Sequence, residues 1–336
     1  MDNDIELPPF TLTRQIYRVL VMYYQDGKKQ SEIAEATHLS VATVNRMIRQ
    51  GRDSGMVEIT IKSPFLSAHQ LELDLAAIGA LQEVVVAPNI TGGEEGDLQV
   101  VGAAAAEFLL GRVKDGDVIT LTGGKGVSAM VDALSTARKY RVEVVPALGC
   151  VQGKHYTDVN HVASELAAKL GGRAYQIHAP LFADNEEQRR MLMEISQVHQ
   201  VLQQAREADI AIVGLGSIHA SSSSYYDLNP SARHASDSVE SSGACSELLA
   251  HLLDARGQPA SFTDNQRLVS LTLDELRRIP FSFAVAAGSN KVEPASSVLR
   301  GRYLKGMVTD EATAAGIIEL SQPLSRTFSR TGENPS

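Results

Sequence analysis

Cysteine is almost absent from this chain of 336 residues. Cys150 and Cys245 are too few for a disulfide framework, and neither belongs to a CxxC pair with zinc spacing, so both read as small buried hydrophobes. Long apolar runs are missing as well: none approaches the roughly 18 residues that a membrane span needs. The opening MDNDIELPPF is acidic where a secretory signal would be basic and then apolar. These absences predict a soluble, cytoplasmic protein with no membrane partner. A general excess of positive charge is lacking too. The formal net charge is −9, which argues against a surface coated in nucleic acid. What remains, 43% hydrophobic and 21% charged, is an ordinary globular composition, and the length suggests about two domains.

The positive charge that exists is concentrated. Residues 14–62 carry eight basic and five acidic side chains, a local excess of +3, and a polyanion would be met there. The same segment predicts three helices. An amphipathic helix from about Thr13 to Asp26 is stopped by Asp26-Gly27, and a second covers Gln30 to Ala36. After the turn Thr37-His38-Leu39, Ser40 caps a third that ends near Gly51. Ile33, Ala34, Leu39, Val44 and Ile48 fall where two helices crossing steeply must touch. This is a helix-turn-helix, with His38 at the left-handed turn position where glycine is usual; His tolerates that conformation better than most residues. The third helix turns Val41, Ala42, Thr43, Asn45, Arg46 and Arg49 outward. Side chains at the start of such a helix reach base edges, and those further along hold phosphates. Thr43, Asn45 and Arg46 are therefore assigned to bases or nearby phosphates, and Arg49 and Arg52 to the DNA backbone; Lys29 and Ser40 complete the expected contact set. Alternating Val57, Ile59 and Ile61 predict a strand for a small wing, ended by Pro64.

Beyond Pro64, short apolar strands alternate with helices, which predicts a largely parallel, doubly wound sheet covered on both faces. Expected strands are EVVVAP, DVITLT, RVEVVPAL, AYQIHAP, ADIAIVGLGSI and FSFAVAAG. Expected helices are Ala68–Gly79, Val100–Leu110, Val127–Lys139, His161–Leu170, Glu186–Ala205 and the region Ser246–Asp254, with Gly92, Gly93 and Gly96 in a loop. Glycine-rich loops follow several strands, at residues 123–128, 147–154, 178–184, 214–224 and 287–291. Ligands of such sheets bind at the carboxyl ends of the strands, where backbone amides and helix N-termini meet anions. Lys125, Lys154 and Lys291 are available cations.

The loop LTGGKGVSA (121–129) admits three readings. A Walker A loop needs GxxxxGK followed by Ser or Thr; here Ile119 stands five residues before Gly124 and Gly126 follows Lys125, so that reading fails. The dinucleotide fingerprint GxGxxG/A is met by Gly124, Gly126 and Ala129, with Glu143 roughly 20 residues on, although Glu143 lies inside its strand run. The third reading is capture of an anion by the amides from Gly124 to Ser128 with the Ser128 hydroxyl.

From about Thr13 to Leu320 the chain resembles the SorC family of bacterial transcriptional regulators, which join a helix-turn-helix to a sugar-binding domain related to sugar-phosphate isomerases. The matching stretches are VMYYQDGKKQSEIAEATHLSVATVNRMI, GKGVS, VVPALG, VASELAAKLGG with IHAPLF, VLQQAREADIAIVGLGSI, GACSELLAHLLDARG and LRGRYLKGMVTDEATA. The resemblance implies a regulator of a carbohydrate-utilisation operon, controlled by a sugar, polyol or sugar phosphate and commonly tetrameric. It places Gly124, Gly126 and Ser128 on the loop that holds the effector's phosphate or hydroxyls. Glu247 falls where many members have aspartate, and Lys291 on the lysine after the last glycine loop. Lys125 and Gly149 complete the expected effector set. Simpler roles stand beside these: Glu247 as a helix-start carboxylate, Lys125 and Lys291 as solvated lysines.

The expected organisation is a helix-turn-helix domain over 1–63, an effector domain over 64–322 and a disordered tail over 323–336. Neither cofactor nor metal is expected, and no catalytic residue. His155, His178, His219, Asp184 and Glu247 offer no acid/base spacing that an isomerase would need. The alternatives are an NAD(H)-sensing redox repressor and, behind it, a sugar-phosphate isomerase.

Overall fold

The structure, a computed structural model, describes residues 10–57, 66–90, 93–218, 225–229, 239 and 241–321. Nearly all of the expected wing strand, together with Gly92, His219, the serine run 221–224 and the 323–336 tail, lies outside these. The chain divides into two compact units, Met1–Pro64 and Phe65–Ser336.

The first unit is helical. Helix α1 (Phe10–Leu20) runs into a π-helical turn (Val21–Gln25), followed by α2 (Gln30–Thr37) and α3 (Val41–Asp53). Its core is built from Ile16, Val19, Leu20, Ile33, Ala34, Val44, Met47 and Ile48, among others. Gly51 lets α1 and α3 approach closely, since a β-carbon there would lie 2.5 Å from Leu20 Cδ1. The expected left-handed turn residue is observed: His38 has φ 55, and the Leu39 N–H then reaches back to the Ala34 carbonyl at 3.0 Å, closing the helix end.

The second unit is an α/β sandwich. Its strands are β1 (Glu83–Ala87), β2 (Val118–Leu121), β3 (Glu143–Pro146), β4 (Arg173–Ala174), β5 (Ile210–Gly214), β6 (Gly216–Ser217), β7 (Ala244–Leu248), β8 (His251–Asp254), β9 (Phe281–Val285) and β10 (Gly306–Asp310). Seven form one sheet in the order β1-β10-β9-β5-β2-β3-β4, with every pairing parallel. Its central strands are nearly continuous apolar runs because both faces are covered: β9 is buried throughout, and Ile210, Ala211, Ile212 and Val213 of β5 are buried. The helices are α4 (Leu66–Gly79), α5 (Glu94–Leu110), α6 (Lys125–Ala133), α7 (Val159–Leu170), α8 (Glu186–Glu194), α9 (Ser196–Arg206), α10 (Tyr225–Leu228), α11 (Leu273–Arg278), α12 (Val292–Gly301) and α13 (Glu311–Ser321). From β2 the chain moves to β3 and β4 on one side; from β5 it moves to β9 and β10 on the other. The switch point of the sheet therefore lies between β2 and β5, where ligands of such folds bind.

Several expected boundaries are corrected. The Ser246–Asp254 region is not helical: β7 and β8 form an antiparallel hairpin that pairs with β6 in a second, three-stranded sheet. Its two-residue turn places Leu249 at φ 53 and Ala250 at φ 66, the geometry of a type I′ hairpin without its usual Asn or Gly. Helix α5 begins at Glu94, so Gly93 is its N-cap and Gly96 lies inside it. Helix α6 stops at Ala133 instead of Lys139, because Leu134 takes extended backbone and the Thr136 hydroxyl accepts the Arg138 N–H, a local bond that competes with helix. The run 186–205 is two helices, broken where Ile195 has ψ 122. In AYQIHAP only Ala174 belongs to a strand. Strand β10, which the sequence reading did not foresee, lies between β1 and β9.

Candidate functional site

On α3 the Ser40 hydroxyl accepts the Thr43 N–H at 3.1 Å, and the two hydroxyls lie 2.8 Å apart. Ser40 thus caps the helix, and Thr43 is half-buried against it. Val41, Ala42, Asn45, Arg46, Arg49 and Arg52 are exposed on the opposite side from Val44, Met47 and Ile48. Among the described residues Arg49 has one ionic neighbour, Asp53 at 3.8 Å, with both side chains more than 70% exposed; such a pair holds its arginine weakly. The Lys29 backbone N–H donates to Glu32 at 2.8 Å and its exposed side chain flanks the start of α2.

In the second unit the glycine loop of residues 123–128 lies at the switch point. Gly124 caps α6 with φ 125, and its Cα lies close enough to β5 that a β-carbon would meet the Gly214 Cα at 4.0 Å. The first-turn amides of Lys125, Gly126 and Val127 have no intrahelical acceptor, and the helix dipole makes that end electropositive. Gly126 is required by packing, since a β-carbon there would lie 2.3 Å from the Val285 carbonyl oxygen at the end of β9. Ser128 is buried, and its hydroxyl has no protein partner among the described residues.

Two further expected residues converge here. Lys291 Nζ donates to the Leu215 carbonyl at 2.8 Å. Burial pulls its ammonium below the usual lysine range; Glu247 opposes that shift and Lys125 adds to it. Glu247 lies on β7 opposite Gly216 of β6 and is 7% exposed. Its Oε1 accepts the Ala250 N–H, while burial pushes its carboxyl from 4.5 up to about 7. Glu247 is thus no helix-start carboxylate, and Lys291 is half-buried rather than freely solvated. Lys125 is exposed, with Nζ 5.9 Å from the centre of the Tyr156 ring. Gly149 has a different setting: its N–H donates to the Val269 carbonyl at 2.7 Å, and a β-carbon on it would collide with the Pro180 carbonyl. It shapes the wall, and its amide is already engaged.

Residues that the sequence reading passed over also build the crevice. Gly216 leaves room for the Glu247 carboxylate. Asp310 at the end of β10 accepts the Gly288 N–H at 2.9 Å and the Thr313 hydroxyl at 2.6 Å, which fixes the loop leading to Lys291. The Tyr156 carbonyl accepts the Gly124 N–H at 2.6 Å. Asp310 closes MVTD, a strand absent from the expected set, so its strand-end position was not legible; nothing in spacing marked Tyr156.

The rival chemistries find little geometry. Glu143 begins β3 and accepts the Tyr175 hydroxyl at 3.1 Å. It stands at the amino end of its strand, whereas a ribose-binding acid belongs at the carboxyl end. His155 and His178 border an open cleft of ≈ 830 Å³ between the loops after β3 and β4. Beside them Asp158 caps α7, and the Asn160 side chain bonds both backbone groups of Ile177. Asp184 accepts Gln188 Nε2 at 3.1 Å. No helix among the described residues is long and apolar enough to cross a membrane.

Comparison with known proteins agrees with both units. Residues 63–319 match the family described as "Putative sugar-binding domain", and residues 12–54 match sigma-70 region 4. The transcriptional regulator LsrR of Escherichia coli K12 is 27% identical over 307 residues, covering 90% of this chain and 94% of that protein. The full-length sorbitol operon regulator SorC from Klebsiella pneumoniae superposes with a TM-score of 0.71 at 24% identity, over 94% of this chain and 100% of that one. A transcriptional regulator from Streptococcus pneumoniae TIGR4 gives 0.69 at 21% identity, over 75% and 97%. With its helix-turn-helix and its sugar-binding domain, the chain belongs to the SorC family of sugar-responsive, DNA-binding transcriptional regulators.

Proposed function

We propose that this regulator controls a carbohydrate-utilisation operon in the cytoplasm as a homotetramer. Its effector is a sugar, polyol or sugar phosphate seated at the β2/β5 switch point. The observation that carries the reading is the convergence there of three kinds of recognition group. The open end of α6, through the amides of Lys125, Gly126 and Val127 and the Ser128 hydroxyl, offers donors to a phosphate or hydroxyl, with the Gly124 N–H already given to the Tyr156 carbonyl; Lys125 and Lys291 offer positive charge; Glu247 offers an acceptor for sugar hydroxyls. Lys29, Ser40, Thr43, Asn45, Arg46, Arg49 and Arg52 form the DNA-contacting set, with the exposed side chains of α3 facing base edges and phosphates. Effector binding favours one arrangement of subunits, changes the spacing of the DNA modules and with it operator affinity.

The test is a thermal-shift screen of the full chain against free and phosphorylated sugars and polyols. A ligand at 100 times its dissociation constant raises stability by about 2.7 kcal/mol. A hit whose stabilisation disappears in Lys291→Ala supports the reading; a hit that survives Lys291→Ala and Glu247→Gln unchanged refutes this location. Saturable binding of NADH with no response to sugars would restore the redox-sensor alternative, and turnover of a sugar phosphate would restore the isomerase.

A further inference from the structure

Asp227, on α10, ties together Tyr156, which no expectation named, and Lys154, which was expected only as an available cation. Its carboxylate accepts the Tyr156 hydroxyl at 3.0 Å and Lys154 Nζ at 3.2 and 3.3 Å. Lys154 and Tyr156 lie just ahead of α7, on a turn closed by the Thr157 N–H and hydroxyl, which both donate to the Lys154 carbonyl. This turn backs the α6 loop. Besides the Gly124 N–H bonded to the Tyr156 carbonyl, Gly123 packs so closely that a β-carbon would lie 2.9 Å from the carbonyl oxygens of Tyr156 and Thr157. The Tyr156 ring is flanked by ammonium groups, Lys154 at 5.5 Å and Lys125 at 5.9 Å from its centre.

The element that carries Asp227 is firmly planted. Tyr225 and Tyr226 are buried, and the Tyr225 ring meets Phe182 edge-on at 6.4 Å. Asn229 Nδ2 donates to Asp264 at 2.6 Å, and Asp264 pairs with Arg267. A tie between this post and the 154–157 turn is worth little as an ion pair, because the Lys154 side chain is 59% exposed. Its consequence is geometric. A half-buried, charge-assisted bond to the tyrosine hydroxyl restrains the Tyr156 backbone, and the Tyr156 carbonyl sets the orientation of the residue that opens α6.

On the reading of the crevice given above, we infer that Asp227 is a positioning residue of the effector site: through Tyr156 and Lys154 it holds the backbone that aims the Gly124–Ser128 loop at an anionic group. It touches no effector itself. The sequence gives no hint of the link, since Asp227 and Tyr156 are 71 positions apart.

The experiment is hydrogen exchange on the full-length chain without ligand, comparing wild type, Asp227→Asn, Tyr156→Phe and the double variant. The expected result is exchange faster by roughly tenfold at the Gly124 amide in each single variant, about the loss of one charge-assisted hydrogen bond, with no further gain in the double variant. Urea midpoints within the error of wild type establish that the fold is intact. Faster exchange confined to residues 225–229, with 123–128 unchanged, overturns the inference, because the tie would then serve α10 alone. A second arm titrates inorganic phosphate: Asp227→Asn weakens its binding by roughly tenfold, whereas unchanged affinity overturns the inference even if wild type binds. Absence of phosphate binding in wild type, together with coupled exchange at Gly124, strikes the crevice reading and leaves the mechanical link standing.

Discussion

Gly216 and Glu247 face one another across the β6–β7 pair so closely that a β-carbon on Gly216 would stand 2.1 Å from Glu247 Oε2. The carboxylate therefore occupies the volume that any other residue at 216 would fill, with its second oxygen fixed by the Ala250 N–H. Gly216→Ala is expected to displace Glu247 and to weaken effector binding about as much as Glu247→Gln, with calorimetric titration of a screened sugar as the measurement. An affinity equal to wild type would show that this carboxylate is not part of the site.

The same carboxylate makes stability depend on pH. Because burial raises its pKa from 4.5 to about 7, the folded chain keeps a proton that the unfolded chain has already released between those values. Its contribution is fully present below about pH 4.5 and is lost as pH rises through about 7, amounting to roughly 3 kcal/mol. Glu247→Gln removes the slope, so the variant's Tm should gain on wild type from pH 5 to pH 8. A gap that stays constant over that range would contradict it. An effector that donates hydroxyls to Glu247 needs the ionised form, and its affinity rises across the same window.

Gly126→Ala should destabilise the effector domain by about 1–3 kcal/mol, the usual result of overpacking. Its β-carbon would meet the Val285 carbonyl, a backbone atom at the end of β9 that cannot swing aside as the tip of a flexible side chain would. Urea unfolding reads this directly; a change below about 0.5 kcal/mol would mean that α6 shifts freely and is too loose to aim its amides.

For DNA binding, Arg46→Ala and Arg49→Ala are expected to weaken binding to the gene's own upstream region. If each removes one phosphate contact, the slope of log affinity against log salt falls by about 0.9 per residue. A fluorescence anisotropy titration at several salt concentrations distinguishes this from loss of a base contact, which lowers affinity while leaving the slope intact.

His38→Gly should raise the stability of the helix-turn-helix by up to about 1 kcal/mol, and His38→Val should lower it, because the residue sits at φ 55 where a branched side chain is strained. Thermal melts followed by far-ultraviolet circular dichroism would report both; equal effects would contradict the turn geometry.

The DNA-reading unit was legible because its determinants are local. Ser40 caps the helix that its own hydroxyl starts, Leu39 closes the one before, and the apolar positions repeat at helical spacing. The parallel sheet was legible from buried strand runs such as IAIVG. The β7–β8 hairpin was not. ACSELLAHLLD places Leu248, Leu249, Leu252 and Leu253 at helical spacing, and its turn uses Leu249 and Ala250 where Asn-Gly would have signalled it. The loop glycines and Lys291 could be picked from the sequence because glycine after a strand marks close approach, whereas Tyr156 and Asp227 meet only through tertiary structure.

The turn at Leu249 and Ala250 also bears on the thermodynamics of recognition. Holding two side-chain-bearing residues left-handed costs on the order of 1–2 kcal/mol each, and that strain presents the Ala250 amide to Glu247. In the proposed site, the rotational freedom of this carboxylate is thus surrendered when the chain folds and not when a hydroxyl docks. Ala250→Gly would relieve the strain at the same left-handed geometry while keeping the N–H that holds the carboxylate. The domain would become more stable, and the hold on Glu247 would be unchanged.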